Sequence, residues 1–227
     1  DNQIGRLVVM VARICPSILS ADFANFESEL ATIGDSDLIH VDVMDNHFVP
    51  NLTFGLATVA RLQQLSSRPL DVHLMIEDVD RWAIEYAKLG VFSVTFHAEA
   101  TRMPAALAKD IKAAGSRAGM ALKPTTPLEH FEDVVSELDQ LLIMTVEPGF
   151  GGQKLIESTL DKVSQARKMI DHASLDCWLQ VDGGIDASTI TRAAAAGADT
   201  FVAGNAVFGA ADRNLQIRTL RSLAEQA

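Results

Sequence analysis

Eight short β-rich runs, each followed by a longer amphipathic stretch, predict an α/β fold of the (β/α)₈ or TIM-barrel type, built as one domain over residues 1–227. Two further observations support it. No linker-like stretch interrupts the alternation. The chemistry-bearing polar residues also gather within or just beyond the C-terminal parts of the runs, the end that carries the active site in such a barrel. An open, doubly wound sheet has the same local pattern, but the count of eight and the placement of polar residues favour the barrel.

The strand-like runs fall at about 14–19, 38–44, 70–75, 91–97, 118–123, 140–146, 178–182 and 200–204. They carry the continuous apolar character of parallel strands covered on both faces. Helical periodicity covers about 23–34, 55–65, 78–89, 103–115, 127–138, 155–172, 187–196 and 212–225. Asp22 and Asp186 stand where the first and seventh helices need N-caps, and Gly34, Gly90, Gly115 and Gly197 follow helix ends. The beginnings of the strands read as apolar. The run from Leu7 to Ile14 is too short to cross a bilayer and lacks the flanks of a secretory signal. Residues 1–9, ahead of Met10, read as an N-terminal extension.

Hydrophobic content of 48% and charged content of 22% are globular values that argue against disorder. A formal charge of −11 argues against a nucleic-acid or membrane partner, since both need basic patches. It permits a phosphorylated small molecule, because backbone amides hold phosphate without side-chain charge. Two cysteines, Cys15 and Cys177, supply neither a disulfide framework nor a metal pair, which fits a reducing cytoplasm.

The chemistry centres on His40-Val-Asp42, Asp71-Val-His73 and Val181-Asp182-Gly-Gly184. Residues i and i+2 of a strand share a face, so His40 and Asp42 can share one ion. A barrel then brings His73 and Asp182 to the same point. Two imidazoles and two carboxylates suit zinc, manganese, iron(II) or cobalt, and the two carboxylates can also move protons. Glycine-rich segments follow the last three strands: Glu147-Pro-Gly149-Phe150-Gly151-Gly152-Gln153, Asp182-Gly183-Gly184 and Gly204-Asn205-Ala206. Each alone reads as a tight turn, and together they read as a phosphate cradle of backbone N–H groups. Ser17 ends the first strand as a substrate contact or a cap. Met44, Met75 and Met144 end strands two, three and six, as an apolar cap over the site or as core filling. His97-x-Glu99 reads as a second ligand pair or as a support for the first.

The chain resembles the ribulose-phosphate 3-epimerase family through Cys15-Pro-Ser-Ile-Leu-Ser-Ala-Asp-Phe23, His40-Val-Asp-Val-Met-Asp45, Phe48-Val-Pro-Asn51, Asp71-Val-His-Leu-Met75, Met144-Thr-Val-Glu-Pro-Gly-Phe-Gly-Gly-Gln153, Val181-Asp-Gly-Gly-Ile185 and Ala198-Asp-Thr-Phe-Val-Ala-Gly204. The resemblance implies a barrel enzyme of the pentose phosphate pathway that interconverts D-ribulose 5-phosphate and D-xylulose 5-phosphate. It implies one divalent metal ion per subunit on His40, Asp42, His73 and Asp182, with Asp42 and Asp182 as the catalytic acid/base pair acting through a cis-enediolate. Ser17, His73, Gly149 to Gly152, Asp182 to Gly184, Gly204 and Asn205 match the family's substrate-contacting positions, and a homo-oligomer is implied as well. Two positions depart from the family pattern. Asn46 stands where glycine is usual, and asparagine tolerates left-handed backbone better than most residues. Asn205 stands where serine is usual. The competing expectations are an epimerase of a hexulose 6-phosphate such as allulose 6-phosphate, and a non-catalytic sugar-phosphate-binding barrel.

Overall fold

A computed structural model describes residues 11–227, so the reading of residues 1–9 as an extension lies outside the described residues. Eight parallel strands form one sheet: β1 (Arg13–Pro16), β2 (Ile39–Met44), β3 (Leu70–Met75), β4 (Ser93–His97), β5 (Arg117–Leu122), β6 (Gln140–Met144), β7 (Trp178–Asp182) and β8 (Thr200–Ala203). Neighbours in sequence are neighbours in space from β2 to β8, and β1 pairs with β8. The ring closes between β1 and β2 through the single parallel bridge Ser17–His40, beside the residues of chemical interest. The sequence expectation of a (β/α)₈ barrel therefore holds.

The helices are α1 (Phe26–Ala31), α2 (Leu56–Leu65), α3 (Val79–Ala87), α4 (Pro104–Ala113), α5 (Glu132–Val135), α6 (Thr159–His172), α7 (Ile190–Ala195), α8 (Asn205–Phe208) and α9 (Arg213–Glu225). Their apolar faces cover the outside of the barrel. Fully buried Leu62, Ile111, Ile170 and Ile217 belong to the same core as Val41, Val72, Leu141 and Phe201 of the strands. Each such side chain contributes about 1.5–3 kcal/mol by leaving water.

Several local expectations change. The first strand stops at Pro16, because the Ser17 hydroxyl accepts the Leu19 N–H at 3.2 Å and turns the chain into a 3₁₀ turn over Ile18–Ser20. Asp22 does not cap α1. Its carboxylate accepts from Ala24 N and Asn25 Nδ2, and the helix starts only at Phe26. Asp186 does not stand at the N-cap of α7 either, which is Thr189; it accepts from Ser188 and Thr189 N–H, and its own N–H donates to Thr189 Oγ1 at 2.9 Å, in the turn that leads into the helix. Gly34 lies outside the left-handed region that Gly90, Gly115 and Gly197 occupy. The stretch expected as one helix over 127–138 is a 3₁₀ turn, Leu128–Phe131, followed by the four-residue α5; the backbone leaves helical geometry at Phe131. The short α8 forms where the sequence reads as a glycine-led loop.

The strand beginnings are not apolar. Asp71, Ser93, Gln140, Gln180 and Thr200 are fully buried near the starts of their strands. Gln140 Nε2 donates to Gln180 Oε1 on the neighbouring strand at 2.8 Å and to Thr95 Oγ1 on β4 at 3.2 Å, so most of these groups find partners in the interior, while Gln140 Oε1 is left without one. Below them, the Arg13 and Arg117 guanidinium carbons lie 3.7 and 4.2 Å from the Trp178 ring centre. The interior is thus a polar layer above an arginine–tryptophan plug, with the site on top.

Candidate active site

The register of β2 on β3 builds half the site. It sets His40 beside Asp71, Asp42 beside His73 and Met44 beside Met75, so two mirror-related motifs become two acid–imidazole pairs. Asp182 arrives at the end of β7, across the closing pair β8 and β1. One ligating atom from each of His40, Asp42, His73 and Asp182 lies within 4.8 Å of the other three. His40 Nε2 is 3.3 Å from Asp42 Oδ1 and 3.8 Å from Asp182 Oδ2. His73 presents its other nitrogen, Nδ1, at 3.3 Å from Asp42 Oδ1 and 3.6 Å from Asp182 Oδ2.

These residues fit a divalent cation. Buried His40 Nε2 has no hydrogen-bond partner, although buried polar atoms are almost always paired. Behind it, His40 Nδ1 donates to Asp71 Oδ2 at 2.7 Å, so that in the neutral, ligating ring the lone pair is on Nε2 and faces the cluster. Asp71 also accepts from Ser93 Oγ at 2.6 Å and from Gln180 Nε2 at 2.7 Å. His73 Nε2 is 2.9 Å from His97 Nε2, and His97 Nδ1 is 3.1 Å from Glu99 Oε2. His97 and Glu99 therefore stand behind the cluster, not in it.

The field of the site is negative. Burial presses the His40 imidazole down, but Asp42 and Asp71 outweigh it and hold it well above its ordinary value. Burial likewise lowers His73, while Asp182 and Asp42 raise it to a net increase. Burial pushes the Asp42 carboxyl up, and the two histidines pull it far below the usual carboxylate range. Asp71 is raised by burial, but His40, Ser93 and Gln180 bring it down to about 2. Burial takes His97 to about 4 despite its contact with Glu99.

Above the cluster lies a cavity of about 330 Å³. Asp42 and Asp182 reach its floor, and Ser17, Met44, Met75, Met144, Gly149 to Gly152, Gly183, Gly184, Gly204 and Asn205 line it. Of the positions expected to touch substrate, His73 alone does not reach the wall; it is fully buried beneath it. Ser17 lies between both of its expected roles, capping the Leu19 N–H and donating to Asp42 Oδ2 at 2.5 Å. Met44 and Met75 pack with Val49, and Met144 with Val146. Gly183 and Gly184 have φ of 117° and 68°, and a Cβ on either would lie 2.3 Å from Val146 Cγ2 or Leu155 N. No other residue fits there. Asn46 adopts φ 60°, so the left-handed turn survives the departure from glycine. The Asn205 side chain accepts from Ser20 Oγ at 2.7 Å, linking the loops after β8 and β1.

Asp71, Gln180 and Ser20 carry the site without having been singled out. Asp71 was legible in principle, since pairing His-x-Asp against Asp-x-His in parallel register puts it next to His40. Gln140 and Gln180 give no such sign, because an isolated glutamine in an apolar run has no diagnostic spacing.

Known proteins place this geometry in a family. The family model described as the ribulose-phosphate 3 epimerase family matches residues 13–208. A ribulose-phosphate 3-epimerase of Mycobacterium leprae is 53% identical over 211 residues, covering 93% of this chain and 94% of that protein. One from Escherichia coli is 44% identical over 212 residues, covering 92% and 94%. The crystal structure of KGPDC from Streptococcus mutans superposes with a TM-score of 0.71 at 16% identity, covering 95% of this chain and 98% of that one, a likeness of fold alone. Among the described residues no helix is long and apolar enough to cross a membrane. On the family match and the identity of these relatives, the chain belongs to the ribulose-phosphate 3-epimerase family, a family of isomerases.

Proposed function

We propose that the chain interconverts D-ribulose 5-phosphate and D-xylulose 5-phosphate by moving protons to and from C3 with Asp42 and Asp182. The observation that carries this is the position of two carboxylates from different strands in one four-residue cluster at the floor of a cavity walled by glycine loops. His40 Nε2, His73 Nδ1, Asp42 Oδ1 and Asp182 Oδ2 would hold one divalent ion per subunit, of zinc, iron(II), manganese or cobalt. An ion bound there would supply Lewis-acid chemistry that eases removal of the C3 proton.

The protein's own groups do the rest. Asp42 takes the C3 proton of the ribulose epimer on Oδ2, the oxygen that accepts from Ser17. That hydroxyl and the two histidines keep Asp42 ionised and ready as a base. Asp182 returns a proton to the opposite face of the cis-enediolate. Its Oδ2 is turned to the histidines, which leaves Oδ1 as the proton carrier. The Asp182 side chain is 16% exposed against 5% for Asp42, in keeping with a group that exchanges its proton through the cavity. Met44, Met75 and Met144 keep water from the reactive carbanion. Backbone N–H groups of the loops at Gly183–Gly184 and Gly204–Asn205 receive the phosphate. A homo-oligomer in the cytoplasm is the working form we infer, from the family and from two buried free cysteines.

Turnover on the two candidate sugars tests the proposal. Ribulose 5-phosphate should be epimerised with the higher kcat/KM. Faster turnover of allulose 6-phosphate, or binding of both sugars without epimerisation, would overturn it.

A further inference from the structure

We propose that His97 is a positioning residue for this centre, which fixes His73 in the one tautomer that can ligate through Nδ1. The inference rests on the metal-binding part of the function proposed above. His97 ends β4, is fully buried, and stacks on His73 with ring centres 5.0 Å apart. The two Nε2 atoms are 2.9 Å apart, and two imidazole nitrogens attract at that distance only if one carries hydrogen and the other does not.

The far end of the chain decides which. His97 Nδ1 lies 3.1 Å from Glu99 Oε2, and an ionised carboxylate only accepts. Glu99 is held ionised, down to about 2, because its contacts with His97, Thr126 and Lys123 N–H outweigh burial. The hydrogen of His97 therefore sits on Nδ1, its Nε2 is the acceptor, and the hydrogen of His73 sits on Nε2. What remains on His73 is a lone pair at Nδ1, the atom that faces Asp42 and Asp182. Glu99 is itself fixed from the next strand: its Oε1 accepts the Lys123 N–H at 2.8 Å and the Thr126 hydroxyl. Thus Glu99, His97 and His73 form a relay with one direction.

The two histidine ligands are backed differently. His40 leans directly on Asp71, an anion sealed in the barrel interior. His73 leans on a neutral ring, and its carboxylate is one residue further out. Removing the acceptor at position 97 frees His73 to turn its hydrogen toward the centre, where it would repel a cation. Loss of an outer partner of this kind typically weakens metal binding about 10- to 100-fold.

The test uses the full chain freed of metal, cobalt(II) alone as probe, and the variants His97→Leu and His97→Gln. Glutamine offers an oxygen near the place of Nε2, and leucine offers none. His97→Leu should bind cobalt about 10- to 100-fold more weakly and change its visible absorption, while His97→Gln should restore both to within about threefold. Should the leucine variant not fold, long-range proton–nitrogen spectra of the unaltered zinc-loaded protein carry the test. They should show His73 protonated at Nε2 and His97 at Nδ1. Equal losses in both variants, unchanged cobalt binding in His97→Leu, or a His97 ring protonated at Nε2 would overturn the inference. Wild-type protein that takes up no cobalt would overturn the metal reading itself, and this inference with it.

Discussion

Replacing Asp71 with asparagine should weaken both the fold and the metal centre, although Asp71 reaches neither substrate nor cavity. The carboxylate is completely buried and accepts from His40, Ser93, Gln140 and Gln180. Its carboxyl lies at about 2 where the ordinary value is 3.8, and that interval corresponds to roughly 2 kcal/mol of folding stability. The group's value is depressed in the folded state, so this contribution is present above pH 3.8 and is lost as pH falls toward 2. Asparagine keeps the shape but not the charge, and its amide hydrogens meet at least one of four donors. Asp71→Asn should therefore lose about 2–3 kcal/mol near neutral pH, and the loss should shrink in acid. His40 also loses the anion that keeps its hydrogen on Nδ1, so metal affinity should fall about 10- to 100-fold. Urea unfolding at several pH values and chelator competition measure the two effects. A variant within about 0.5 kcal/mol of wild type, with unchanged metal affinity, would refute the reasoning.

Three further outcomes are expected. Gly183→Ala should cost about 2–4 kcal/mol in urea unfolding, because its φ of 117° and the 2.3 Å approach to Val146 leave no room for a methyl group; an unfolding midpoint equal to wild type would contradict this. In metal-free protein, the raised value of His40 means the folded state keeps a proton that the unfolded chain releases above pH 6.5. Metal-free stability should thus be greatest below that pH and decline as pH rises through the folded value, while calorimetry near pH 7 should record release of about one to two protons as each ion binds, since His73 is raised as well; zero proton release would count against it. Ser17→Ala should lower kcat more than it raises KM, since the hydroxyl touches Asp42 and not only the cavity; an effect on KM alone would make Ser17 a binding group.

Much of this was legible in the sequence because it rests on spacing. Alternation of β-rich and amphipathic runs gave the barrel, and His40-x-Asp42 with His73 and Asp182 gave a cluster whose convergence needs only the topology. What stayed hidden depends on register and on contacts across the barrel. Asp71 became visible only when β2 and β3 were paired, and the Gln140–Gln180 layer needed four strands in place. The role of His97 depended on which nitrogen meets His73, a matter of side-chain orientation that no periodicity encodes. The strand starts misled for the same reason: a polar side chain facing inward looks, in one strand alone, like an interruption.

The measurement closest to the central claim is epimerisation in deuterated water by wild-type protein and by Asp182→Asn, each with its metal content verified. Wild type should place solvent deuterium at C3 of the product. Asp182→Asn keeps Asp42, so it should exchange the C3 hydrogen of ribulose 5-phosphate while forming no xylulose 5-phosphate. Epimerisation by wild type without deuterium at C3, or epimerisation by Asp182→Asn at the wild-type rate, would contradict an account in which Asp42 and Asp182 each serve one face of the sugar.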